Sequence, residues 1–295
     1  MEFGIIIKVI LPISLIIIMM GMGMSLTIGD FKRVTQYPKA VITGMIAQMI
    51  LLPIMAFIVI TLFDLDPLMS TGLMILAFCP GGASSNMISF LARADLALSI
   101  TLTAIVSLIV PFIIPLQVAT TLTYFMGDSS SFNFPVLETI IKLLVVTIIP
   151  IVIGLQINRS FPKFSKKVES PVKIFSFLFL FLIIAVVLNK NWHNIDVVFK
   201  SVAPIAIILS TCNFILGYFV SKLMGLKHKQ STTIGIEVGI QNGTIALIIT
   251  GTILGNPEMS LAPATYGLFM YFTGLVFVWI TKFFEKGTPE IEVMN

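Results

Sequence analysis

The chain has 295 residues, of which 57% are apolar and only 11% charged, with a mean hydropathy of +1.05 and a formal charge of +4. A soluble domain carries about 25% charged residues, so this sequence lacks the polar surface to cover a water-facing globule, and lipid is its expected main solvent.

A hydrocarbon core about 30 Å thick is crossed by roughly 20 apolar residues in a helix. Such runs recur along the chain, separated by short charged or Pro/Gly-containing breaks, at 5–26 (A), 38–62 (B), 68–91 (C), 96–125 (D), 135–157 (E), 172–190 (F), 199–224 (G), 229–254 (H) and 259–284 (I). Stretches such as Phe175 to Leu188 are apolar all round, without the alternation of a barrel strand, so the predicted class is an all-α integral membrane protein with nine transmembrane helices. Span A has little positive charge before it and no small-x-small cleavage site after Met24, and is expected to stay as a membrane helix. Cys79 and Cys212 fall inside spans, where a disulfide of the secreted kind is not expected. Trp192 and Trp279 lie near span ends, as do several tyrosines, and suit interfacial anchors; His193 and His228 lie in loops without metal-ligand company.

The basic residues segregate. Lys32, Arg33, Lys39, Arg93, Arg159, Lys163, Lys166, Lys167, Lys173, Lys222, Lys227, Lys229, Lys282 and Lys286 fall on one face of the nine-span layout, which is 14 of the 18, while Lys8, Lys142, Lys190 and Lys200 fall on the other. Basic residues near span ends stay in the cytoplasm, which predicts an outside N-terminus, a cytoplasmic C-terminal tail and a multi-pass protein of the cell (plasma or inner) membrane. The +4 charge then needs no nucleic-acid partner.

Two spans should not form regular helices. Span C contains Cys79-Pro80-Gly81-Gly82-Ala83-Ser84-Ser85-Asn86, where the proline removes a hydrogen bond and the glycine pair weakens the helix further. Backbone groups freed in hydrocarbon cost several kcal/mol each, so a break at mid-depth must face protein or a water-filled cavity. Ser84, Ser85 and Asn86 would stand at the N-terminus of the second half-helix, where the dipole favours an anion. Span H reads Gly235-Ile236-Glu237-Val238-Gly239-Ile240-Gln241-Asn242-Gly243-Thr244, and Glu237 is the only carboxylate in the middle of a span. An acid at the bilayer centre costs about 2.5–3.5 kcal/mol or more, and no lysine or arginine lies at comparable depth, so its expected partner is a mobile cation.

The broken span is third in the block A to D and third in the block F to I. Corresponding spans are five apart, so the two blocks cross in opposite directions. Inverted repeats with discontinuous helices in matching positions point to a secondary transporter with its site at the midplane. No GxxxxGK[ST] loop is present, so direct drive by ATP is not expected.

Over essentially its whole length the chain resembles the bile acid:sodium symporter family, on Phe78 to Ser107, on Gly235 to Thr244, and on the segment from Gly21-Met22-Gly23-Met24 to Gln48. The resemblance implies a core domain with two crossed, unwound helices moving against a panel domain. Its segments are 1–62 (panel helix A, core helix B), 63–125 (core helices C and D), 126–190 (panel helices E and F) and 191–295 (core helices G, H and I with the tail). It also implies two sodium ions, one held by Ser85, Asn86, Ser99, Thr103 and Glu237, the other by Gln48, Glu237, Gln241 and backbone carbonyls near Val238 and Ile240. Substrate would meet the half-helix N-termini at Ala83, Ser84 and Asn242. Where the family commonly has Thr after the glycine pair this chain has Ala83, and it begins at what would be the second helix of many bacterial relatives.

The expected function is sodium-coupled import of an organic anion, bile-acid-like or a smaller carboxylate, by alternating access. No organic cofactor and no enzymatic activity is expected. Proton coupling or export on the same fold is the alternative, and an intramembrane enzyme a remote one, since no Asp-rich metal motif, HExxH or second midplane acid accompanies Glu237.

Overall fold

The computed structural model describes residues 3–127 and 134–286, and the C-terminal tail beyond lies outside them. The described chain is α-helical, without strands. In order the helices are α1 (Ile6–Ser25), α2 (Ile28–Gln36), α3 (Pro38–Leu62), α4 (Pro67–Ala77), α5 (Ala83–Leu91), α6 (Leu96–Met126), α7 (Val136–Ser160), α8 (Pro162–Lys190) and α9 (Trp192–Leu223). They continue with α10 (His228–Gly239), α11 (Gly243–Leu247, prolonged by the turn Ile248–Ile253) and α12 (Leu261–Lys286). Eight stretches are long and apolar enough to cross a membrane, with α10 and α11 counted together, while the third apolar region is the short pair α4 and α5.

Three helices differ from the sequence expectation. The segment after span A folds as α2, an amphipathic helix whose Phe31 and Val34 pack inward. Its start is a capping box: the Asp30 carboxylate accepts from the Thr27 backbone N–H and hydroxyl, both at 2.7 Å. Helix α8 begins ten residues before span F, with Pro162 at its first position and the Glu169–Lys173 ion pair at 2.5 Å bracing its polar start. Helix α9 likewise starts seven residues before span G, at Trp192.

Prolines shape the helices without ending them. Turns widened to i→i+5 hydrogen bonding occupy Ile6–Ile10, Ala47–Leu51, Leu144–Ile148 and Val198–Val202, each two residues before Pro12, Pro53, Pro150 or Pro204. A proline ring collides with the carbonyl four residues back and has no N–H to give it, and the widened turn moves that carbonyl aside.

Helix α1 lies against α7 and α8, while α9 packs on α10 and α12, and α4 on α6 and α12. In the most apolar window of His228–Ile253, 94% of residues are buried, against 28% in α7 and in α8. The second broken region therefore sits at the centre of the bundle and α7 and α8 at its rim, where Leu178 and Leu182 point outward as a lipid-facing surface requires.

Candidate functional site

Helix α4 stops at Ala77, before Pro80, and α5 restarts at Ala83 with no side-chain cap. Helix α10 stops at Gly239, Ile240 turns extended, and α11 restarts after Asn242, whose Oδ1 accepts from the Ile245 N–H at 3.2 Å. The two gaps touch. The Asn242 N–H donates to the Cys79 carbonyl at 2.8 Å, and the Ile240 carbonyl packs on Gly81 so closely that a Cβ there would come within 2.7 Å of it. Backbone groups released by one break are thus partly satisfied by the other, which is how irregular backbone is tolerated at membrane depth.

Beside this crossing lies Glu237, wholly buried. Its Oε1 accepts from the Ser99 hydroxyl at 2.5 Å, and its Oε2 from the Gln48 amide at 3.0 Å and the Thr103 hydroxyl at 3.1 Å. Ser99 Oγ is also 2.7 Å from Asn86 Oδ1, and Thr103 Oγ1 is 3.4 Å from the same oxygen. A hydroxyl has one proton to give, so Ser99 can satisfy only one of its two close acceptors. Among the described residues no basic side chain pairs with Glu237. Ser85, wholly buried, stands among the groups around the carboxylate and donates its hydroxyl to the Gly82 carbonyl at 2.8 Å.

Of the second expected set, Gln48 bonds the same carboxylate, while Gln241 bonds the backbone at the end of α10. Gln241 Nε2 donates to the Val238 carbonyl at 2.5 Å. The Oε1 atoms of Gln48 and Gln241 are buried with no hydrogen-bond partner, an arrangement that costs about 1–3 kcal/mol for each unpaired group. A single carboxylate, hydroxyls and unpaired carbonyl oxygens, with no sulfur or imidazole among them, form a donor set for a hard cation.

Gln48 itself sits inside the widened turn Ala47–Leu51 of α3, so Pro53 helps set the direction of its side chain. Such turns frequently occur at functional positions. That contribution was readable as a proline five residues downstream, but its register was not.

The three expected substrate positions also meet. Ala83, Ser84 and Asn242 line a cleft between the two half-helix starts, closed on its far side by Met19 of α1 and Leu180 of α8. Its volume of about 20 Å³ is near the room for one water and far below that for an organic anion. A cavity of about 700 Å³ lies instead at the helix ends, reaching Val41 and Gln230, each seven residues from Gln48 and Glu237 respectively. Leu102, wholly buried against Gly44, occupies the intervening turn.

Two tyrosines of α12 belong to the site's support, unlike the exposed Tyr37 and Tyr124 that suit interfacial anchors. Tyr266 donates to the Gly239 carbonyl at 2.9 Å, satisfying the end of α10, and accepts from Asn213 at 3.2 Å. Tyr271 donates to Ser84 Oγ at 3.0 Å and lies against Phe177 and Phe181 of α8. Their apolar surroundings in the sequence gave no sign of these partners.

Residues 12–198 match the family described as the Sodium Bile acid symporter family. The chain is 28% identical over 278 residues to the "Uncharacterized sodium-dependent transporter YocS" of Bacillus subtilis, covering 94% of this chain and 84% of that one. It is 29% identical over 245 residues to the "Probable sodium/metabolite cotransporter BASS1, chloroplastic" of Arabidopsis thaliana, covering 83% of this chain and spanning 60% of that protein's length. To the human "Ileal sodium/bile acid cotransporter" it is 25% identical over 286 residues, covering 96% of this chain and 81% of that one.

Proposed function

The chain belongs to the sodium bile acid symporter family, a family of membrane transporters rather than enzymes, and we propose that it imports an organic anion into the cytoplasm by sodium-coupled symport. The observation that carries this reading is Glu237: a carboxylate at the heart of a membrane bundle, surrounded by oxygens and without a basic partner among the described residues.

Two sodium ions are the co-transported cargo. The first is held by Ser85, Asn86, Ser99, Thr103 and Glu237, and binding it would relieve the crowding of acceptors around Ser99. The second is held by Gln48, Glu237, Gln241 and the carbonyls of Val238 and Ile240, and would take up the two unpaired glutamine oxygens. Cation binding neutralises Glu237 and fixes α10 against α3 and α6, which sets the crossing of the breaks. The half-helix starts at Ala83, Ser84 and Asn242 then offer the positive ends of two dipoles and the Asn242 side-chain amide to the substrate's carboxylate or sulfate.

Helices α1, α7 and α8 form the panel, and the rest form the core. The narrow cleft between Ser84 and Leu180 widens for substrate only when core and panel part, which is the alternating-access step. The chain crosses the cell membrane nine times, counting α4 with α5 and α10 with α11 as one span each, in two inverted blocks with the basic face in the cytoplasm. Coupling is reciprocal: sodium must raise affinity for the anion by the factor by which the anion raises affinity for sodium.

The test is uptake of candidate anions, bile acids and small carboxylates, into proteoliposomes with and without an inward sodium gradient. Accumulation is expected only with the gradient. Equal uptake under both conditions for every accepted anion refutes sodium coupling, and uptake driven by a pH gradient alone assigns the coupling to protons.

A further inference from the structure

The large cavity at the basic face and the site around Glu237 are joined by the same three helices. On α3, Gln48 bonds Glu237 and Val41, seven residues earlier, lines the cavity. On α10, Glu237 itself is seven residues beyond Gln230 in the cavity wall. Seven residues bring a helix back to the same face about 10 Å along its axis. On α6 the two sets interleave: Leu98 and Thr101 line the cavity, while Ser99 and Thr103 donate to Glu237.

What separates them is one apolar turn. Leu102 is wholly buried, and its two methyl groups come within 2.6 and 2.7 Å of the place where a Cβ on Gly44 would stand. Glycine at 44 is thus what lets the leucine seat between α6 and α3, in the column that runs from Val41 to Gln48. A single apolar constriction between two polar compartments stops an ion by staying dry, and opens when the side chain moves aside.

The cavity suits an ion that has just left a site. Its volume of about 700 Å³ holds roughly twenty waters at ~30 Å³ each, enough to rehydrate a small cation, and its rim residues Gln36, Lys227 and Lys229 are exposed. Arg33, Lys227 and Lys229 outnumber Asp95 around it, so the local field disfavours re-entry of a cation from the cytoplasm. The substrate cleft lies elsewhere, against Met19 of α1 and Leu180 of α8, whereas among the described residues none from α1, α7 or α8 lines the cavity.

From these observations we infer that Leu102, seated on Gly44, gates a sodium exit of its own: the ion passes through the core into the cavity, while the anion leaves beside α1 and α8. The inference rests on the reading of Glu237 as a sodium site.

The experiment measures radioactive sodium flux through the full chain in proteoliposomes under a sodium gradient with no organic anion present. Wild-type flux is expected to be slow, because the seated leucine keeps the ion in place. Leu102→Ala is expected to raise this flux about tenfold or more, and Leu102→Val severalfold, the milder truncation serving where the alanine variant fails to insert. Leu102→Met, of nearly equal volume, is expected to stay at the wild-type level. To place the route, Ala97→Cys in the half-buried cavity wall is added with Cys79 and Cys212 replaced, and is capped from the cytoplasmic side with a bulky maleimide. Capping is expected to remove most of the added flux. Wild-type flux in both truncations, or added flux that capping leaves unchanged, overturns the inference while sodium-dependent anion uptake leaves the coupling standing. Loss of that dependence in the wild type removes the reading of Glu237 and this inference with it.

Discussion

At the scale of single residues, the chemistry gathers on one carboxylate. Charge and cation a few ångströms apart attract by about 4 kcal/mol at an effective dielectric near 20, so Glu237→Gln is expected to cut gradient-driven uptake by ~100-fold or more with the protein still inserted. Fluorescence-detected chromatography verifies insertion, and wild-type uptake in that variant removes Glu237 from the mechanism. Ser99→Ala deletes the hydroxyl shared by Glu237 and Asn86 and is expected to raise half-saturating sodium about tenfold, read from sodium-dependent initial rates. Tyr266→Phe leaves the Gly239 carbonyl without its donor, and a loss of about 1–3 kcal/mol is expected as a lower unfolding temperature of the purified protein. Glu237, Asn86 and the Gln241-Asn242 pair were legible because polar residues stand out against an apolar run. Tyr266 and Tyr271 were not, because a tyrosine within a span reads equally well as an anchor, and their partners lie 27 and 187 residues away in the chain.

At the scale of the element, the two breaks were written locally, in Pro80 with its glycine pair and in the glycines around Glu237. What each break bonds to was not, since Asn242 reaches Cys79 across the chain. The widened turns show the same division: a proline foretells a disturbance about four residues upstream, but whether the helix kinks, ends or widens depends on the packing around it. One inserted residue rotates a helix by about 100°, so restoring a regular turn with Pro53→Ala is expected to turn Gln48 away from Glu237 and raise half-saturating sodium severalfold. Wild-type sodium dependence in that variant dissociates the turn from the site. Helices α1 and α7 approach so closely that a Cβ on Gly23 would strike the Ile151 backbone, and one on Gly154 the backbone of Met20 and Gly23. Small residues permit this approach between helices in lipid, where tight packing replaces the hydrophobic drive.

At the scale of the whole molecule, the 14 to 4 segregation of basic residues sets a topology that chemistry can test. With Cys79 and Cys212 replaced, a cysteine at Gln36 is expected to react with a membrane-impermeant thiol reagent only from the cytoplasmic side, and one at His193 only from outside; the reverse pattern inverts the protein. Composition, the succession of apolar runs, the place of the breaks and the isolation of one deep acid were determined by the sequence, because each depends on the transfer of side chains and backbone between water and lipid, which neighbours in the chain decide. The convergence of α3, α6 and α10 on Glu237, the unpaired oxygens of Gln48 and Gln241, the contact between the breaks and the closed cleft at Ser84 were decided only by tertiary structure. Helix rotation and crossing arise from packing between residues far apart in the chain, and an apolar run carries almost no record of which way each of its faces will turn.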